Sequence, residues 1–160
     1  MTHLSRRSLL AALAVLPIAA CGAQDRTPVA ARAVFDPPLH PNETPALRAK
    51  INKWADHYEV PRSLVHRVVI RESTHNPAAR NGPYMGLMQI HPNTARGMGY
   101  QGSAEGLLDA ETNLKYAVKY LRGAWLVSGG NPDAAVMWYA RGYYYEAKRL
   151  GLLEETGLKT

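Results

Sequence analysis

Between Glu72 and Glu105 the chain has neither an Asp nor a Glu. Acid–base chemistry in this stretch therefore rests on a single carboxyl group. Glu72 ends the apolar run Val68-Val69-Ile70. A Pro/Asn/Gly-rich loop follows it, and then the compact segment Gly86-Leu87-Met88-Gln89-Ile90. A carboxyl on an apolar face resists ionisation, because burial disfavours its charged form. Such a group keeps a proton to donate near neutral pH. The same placement also suits a buried Glu that is neutralised by an Arg or caps a backbone amide, and spacing leaves both readings open. Gln89 is the second residue of interest: an amide set among Leu87, Met88 and Ile90 needs a hydrogen-bond partner wherever it is buried.

The elements that would hold Glu72 can be read from caps and periodicity. Thr44-Pro45 reads as a helix cap with a first-turn proline, opening a helix over 46–58 with Leu47, Ile51, Trp54 and Ala55 on its apolar face. A second helix is expected from Arg62 to Ser73. Its Leu64, Val65, Val68 and Val69 fall on one face, and Glu72 projects from that stripe while Arg67 and Arg71 face solvent. Asn76-Pro77 ends this helix. Asn81-Gly82-Pro83 makes a turn, and Gly86–Ile90 reads as a short strand or a buried loop. Pro92 opens a short helix that Gly97 and Gly99 close. Asp109 caps a long helix whose buried face is Leu114, Ala117, Val118, Leu121, Ala124 and Trp125, closed by Gly129-Gly130. Asn131-Pro132-Asp133 opens the next helix, through Tyr139, and 143–153 gives the last. The fold class is mainly α, in one domain with little or no β-sheet.

The N-terminal part differs in composition. Arg6-Arg7 precede the apolar run Leu9–Ala20, which is too short to span a bilayer. Residues 1–20 thus read as a signal peptide, and Ser5-Arg6-Arg7-Ser8-Leu9-Leu10 also resembles a twin-arginine export signal. Ile18-Ala19-Ala20-Cys21 resembles the bacterial lipobox, which makes Cys21 a lipid-attachment site. As the one cysteine, Cys21 has no partner for an internal disulfide. Gly22, not Asp, follows it, which by analogy favours the periplasmic face of the outer membrane over the inner membrane. Residues 21–45, interrupted by Pro28, Pro37, Pro38, Pro41 and Pro45, read as an extended linker, leaving 46–160 as the globular domain.

The chain carries a net charge of +6. Without Arg6 and Arg7 there remain 17 Lys/Arg against 13 Asp/Glu, a surplus of four. That surplus suits an anionic surface such as envelope polymer or lipid headgroups. No basic stripe with interleaved aromatics argues for nucleic acid. His57, His66, His75 and His91 form no i, i+4 pair, so no metal centre and no cofactor are expected; His75 or His91 could bind substrate, with surface placement as their default.

Three blocks together resemble the lytic transglycosylases of the soluble-lytic-murein type, which have a lysozyme-like catalytic domain. Glu72-Ser73 with Asn76-Pro77 matches E-S-x-x-N-P. Gly86-Leu87-Met88-Gln89-Ile90, with Pro92, Thr94 and Ala95, matches G-L-M-Q-I-x-P-x-T-A. Asp109 through Leu114 followed by Lys119-Tyr120-Leu121 matches the helix written D-P-x-x-N-I with K-Y-L. The resemblance spans about 46–143. It implies cleavage of the β-1,4 bond between N-acetylmuramic acid and N-acetylglucosamine in peptidoglycan strands, with Glu72 as the catalytic acid and then base. The muramoyl C6 hydroxyl would close a 1,6-anhydro ring in place of water. The lone carboxylate agrees with this, because hydrolytic glycosidases use two. By the same resemblance Ser73 would hold Glu72 or substrate, Met88 and Gln89 would line the sugar groove, and Tyr139 would support the acid. Bland alternatives are helix capping for Ser73 and core packing for Met88.

The fourth block departs from the family. Trp138-Tyr139-Ala140-Arg141-Gly142 stands where the family shows A-Y-N-A-G, so Ala140 replaces an asparagine. Tyr143-Tyr144-Tyr145 could stack on sugars but more simply pack. Two competing functions remain: a muramidase using water, with Asp109 or Glu111 assisting, and a non-catalytic peptidoglycan-binding scaffold, motivated by Ala140. The physiological setting, wall turnover or opening the wall for an envelope-spanning machine, is not written in the residues.

Overall fold

A computed structural model describes residues 37–158. The signal segment 1–20, Cys21 and the linker up to residue 36 lie outside the described residues. The described chain forms six α-helices and one two-stranded hairpin. The helices are α1 (Pro45–His57), α2 (Arg62–Ser73), α3 (Pro92–Gly97), α4 (Ala110–Val127), α5 (Pro132–Arg141) and α6 (Tyr144–Leu150). The strands β1 (Arg80–Asn81) and β2 (Tyr84–Met85) pair antiparallel around Gly82-Pro83, and a 3-10 turn, Ala104–Leu108, leads into α4.

Local chemistry explains the boundaries. Thr44 Oγ1 accepts from the Leu47 amide, and Pro45 fills the first turn of α1. Asp109 caps α4 through the Thr112 amide, and Asn131 caps α5 through Asp133 and Ala134. α4 is the hub. It packs against α1, α3, α5 and α6, with Leu114, Ala117, Val118, Leu121 and Ala124 fully buried. Trp125, expected on this face, is only partly buried, and Val127 takes part in its place. α6 is shorter than the expected 143–153, because Gly151 turns left-handed and closes it.

Two details, one that chooses between expectations and one that differs from them, matter for the site. Of the two expected forms, Gly86–Ile90 takes the buried loop and not the strand: it is a series of turns, tied to β2 by a bridge between Met85 and Ile90. Within the segment read as linker, His40 is partly buried and Glu43 buried, while residues 41, 42 and 44 are exposed. The Glu43 carboxylate is 1% exposed and holds Arg48 at 2.6 Å, the His40 amide and the guanidinium Nε. A charge that is buried and paired in this way is anchored, which an extended linker does not do.

Candidate active site

Glu72 lies in the last turn of α2, whose opposite turns bury Leu64, Val65, His66, Val68 and Val69. This buried stripe sets its direction, as the periodicity predicts. Its side chain is 23% exposed, accepts no hydrogen bond from the described residues, and has Arg71 Nε at 3.6 Å. Burial raises the carboxyl above its usual pKa, and the Arg71 cation offsets part of that rise. Arg71 is half-exposed, so this contact is a weak, solvent-screened pair. The neutralised-Glu reading is therefore met only in part.

Asn113, fully buried on α4, fixes the loop facing Glu72. Its Oδ1 accepts from the Met88 amide at 3.0 Å. Its Nδ2 donates to the carbonyls of Met85 and Leu107, both at 2.8 Å. Gly86 is where this approach is tightest. A Cβ there would land inside the Asn113 side chain and the Leu107 carbonyl, and its φ is +73°. Gln89 also takes positive φ (+47°), and its Nε2 donates to the carbonyls of Ala79 and Gly86 at 3.1 and 2.9 Å. The partly buried amide thus has two carbonyl partners, one in its own loop and one before β1.

Tyr139 on α5 donates its hydroxyl to the Met88 carbonyl at 2.8 Å. Burial raises its phenol well above the usual range, with a further contribution from the nearby Glu72 charge. Tyr139 therefore stays a neutral donor beside the acid. Tyr84, Gln89, His91, Tyr120, Tyr139 and Ala140 line a cleft of about 260 Å³ along this loop and the end of α5. Glu72 is not in its lining. It reaches the cleft's neighbourhood through Tyr139.

The remaining sequence expectations separate. The Ser73 hydroxyl donates back to the Val69 carbonyl at 3.3 Å, a bond within α2 to the carbonyl four residues earlier and not a bond to Glu72. The Met88 side chain is 0% exposed, so only its main chain serves the loop. Tyr143 is buried and donates to the Tyr120 carbonyl, whereas Tyr145 is 84% exposed. Asp109 and Glu111 are occupied elsewhere: Asp109 caps α4, and Glu111 takes Trp54 Nε1, Lys50 and Lys53. His75 is buried, against its surface default, as is His66, while His91 caps α3 and flanks the cleft. Asn113 was quoted only as part of a motif. Its position on the buried face of α4 was the available signal that a polar group there must organise something.

A mainly helical domain that holds one half-buried carboxylic acid beside a tyrosine-rich cleft belongs to the lysozyme-like class of glycan-cleaving folds. Residues 49–151 match the family described as the Transglycosylase SLT domain, and the chain belongs to that family. No solved structure matches the chain. Membership makes it an SLT-type lytic transglycosylase with peptidoglycan as its substrate.

Proposed function

We propose that the chain cleaves the bond between N-acetylmuramic acid and N-acetylglucosamine without water, with Glu72 as its one acid–base group. Protonated Glu72 gives its proton to the glycosidic oxygen as the C1–O bond breaks, releasing the N-acetylglucosamine side with a free C4 hydroxyl. The resulting carboxylate takes the proton from the muramoyl C6 hydroxyl, whose oxygen bonds to C1. The acid is regenerated and a 1,6-anhydro ring is left. The observation that carries this reading is the half-buried Glu72, whose carboxyl burial pushes above its usual pKa, in a domain where Asp109 and Glu111 are both committed to other contacts.

In this reading Tyr139 and Gln89 hold the loop over the acid, and the tyrosines of the cleft offer faces to sugar rings. Mass spectrometry of sacculi digested by the purified protein tests it: the main muropeptides should lack one water relative to hydrolytic products. Muropeptides ending in reducing muramic acid would establish the muramidase instead. Ala140, which lines the cleft without an amide, favours a second reading as a non-catalytic wall-binding scaffold. Under that reading wild type and Glu72→Gln would release equal, negligible amounts of product.

We also propose that the chain is exported and held by a lipid on Cys21 at the periplasmic face of the outer membrane. The support is the Ile18–Cys21 sequence after an apolar run and the proline-rich segment that follows. Replacing Cys21 by Ser should move the protein from the membrane fraction to the soluble one.

A further inference from the structure

Away from the cleft, the fold gathers three residues that the sequence scatters. Glu43 precedes α1, His66 sits mid-α2, and His75 lies two residues beyond its end. One donor atom from each lies within 4.8 Å of the others, and all three residues are buried. His66 Nδ1 stands 3.5 Å from Glu43 Oε1, and His75 Nε2 stands 3.8 Å from the same oxygen. These side chains form no i, i+4 pair. Thr74 and His75 both take positive φ, and this reversal turns the imidazole inward.

The hydrogen bonding around the cluster is that of a ligand set. His66 Nε2 meets Asn52 Oδ1 at 2.9 Å. With an oxygen there, Nε2 carries the hydrogen and Nδ1 turns its lone pair toward Glu43. An outer amide or carboxylate that orients an imidazole in this way is a regular accompaniment of metal-bound histidine. The His75 ring is 0% exposed, and neither of its nitrogens has a hydrogen-bond partner. A buried nitrogen left unpaired is a standing cost to the fold, which a bound cation removes. The His40 ring lies 5.0 Å from that of His75, and its buried Nδ1 also lacks a partner. Arg48 binds both Glu43 oxygens and fixes the carboxylate's orientation.

We propose that Glu43, His66 and His75 bind a divalent transition-metal ion, zinc before others. Nitrogen and carboxylate donors with bonds of about 2.0–2.2 Å suit tetrahedral zinc, which places its donors about 3.3–3.5 Å apart. The two separations from Glu43 need to contract by only a few tenths of an ångström. All three residues are buried and none lines the cleft, so the ion has a structural role. It ties residues 40–44 to the end of α2, directly after the turn that carries Glu72.

The test is zinc titration of the purified chain after EDTA treatment, followed by calorimetry and by metal analysis of the dialysed product. One zinc per chain is expected. The thermal midpoint should rise by about 10 °C at zinc a hundredfold above Kd. Cobalt should give the intense visible bands of a tetrahedral site. Asn52→Ala should weaken binding by about 10- to 100-fold, His75→Phe should abolish it, and His91→Ala should leave it unchanged. Lack of saturable one-to-one binding by the wild type overturns the proposal. So does equal binding by His75→Phe or Asn52→Ala and the wild type. The wild-type titration decides even if a variant fails to fold, and no readout depends on wall cleavage.

Discussion

The hydroxyl of Tyr139 donates to the main-chain carbonyl of Met88 across 51 positions of sequence, at 2.8 Å in a buried setting. This bond ties α5 to the Gly86–Ile90 loop and places a neutral phenol next to Glu72. Removing the hydroxyl leaves the Met88 carbonyl buried without that partner, a cost of about 1–3 kcal/mol. Tyr139→Phe should therefore lower stability by that amount in urea denaturation. Wall-cleaving activity should fall further than the unfolded fraction accounts for, because the loop is no longer held against α5. A variant as stable and as active as wild type would show that the bond positions nothing.

Asn113 carries a heavier load, since it satisfies one buried amide and two buried carbonyls at once. Asn113→Ala removes all three bonds; the Met85 carbonyl keeps the Ile90 amide, while the Met88 amide and the Leu107 carbonyl lose this partner. At about 1–3 kcal/mol for each of those two, the loss should reach about 2 kcal/mol or more. That is a large share of the 5–15 kcal/mol typical of a domain. Gly86→Ala should destabilise comparably, because its Cβ would collide with the same asparagine and its φ is positive. Equilibrium denaturation of the two single variants and the double variant checks this. Their effects should be strongly non-additive, as both break one contact.

Much of this arrangement was legible before any coordinates. Thr44-Pro45, Asp109 and Asn131-Pro132 start helices by local chemistry, and the Leu64–Val69 stripe sets the direction of Glu72, so nearby residues suffice. The Gly86–Ile90 turns were not legible, because their conformation depends on Asn113, which lies 25 residues beyond Met88. The Met88 side chain points into the core for the same reason. Glu43 was misread as linker because proline content marks extended chain, but not what a single carboxylate among the prolines will pair with. His75 was assigned to the surface because helical spacing cannot anticipate two consecutive left-handed residues.

Glu72 should impose a pH dependence of definite sign. Burial raises its folded-state pKa above that of the unfolded chain. The stabilising contribution is therefore complete below the unfolded value, and it is lost as pH rises through the folded one. Glu72→Gln should flatten this part of the stability–pH curve and leave the fold intact, since no hydrogen bond from the described residues is lost. A steeper curve in the variant would contradict the assignment.

The same group governs the alkaline limb of activity, because only the protonated acid can protonate the glycosidic oxygen. Arg71, 3.6 Å away, favours the carboxylate. Arg71→Gln should raise the Glu72 pKa and move the alkaline limb of the pH–activity profile to higher pH. The shift should shrink in high salt, which screens the half-exposed guanidinium in the wild type as well. A limb displaced to lower pH would mean that Arg71 acts on substrate and not on Glu72.

The strongest challenge to a water-free reaction is a second carboxylate, and Asp109 and Glu111 are the residues the sequence offered. Each now has a structural account. Asp109 caps α4, so Asp109→Ala should cost about 1 kcal/mol. Glu111 gathers Lys50, Lys53 and Trp54 Nε1 on a partly exposed surface, where such pairs contribute little, so Glu111→Gln should cost under about 1 kcal/mol. The double variant should melt earlier but still degrade sacculi at a rate within a few-fold of wild type and release the same anhydro products. Loss of a catalytic base would instead cost about 100- to 10,000-fold. A loss on that scale in folded protein would restore the second carboxylate and, with it, hydrolysis by water.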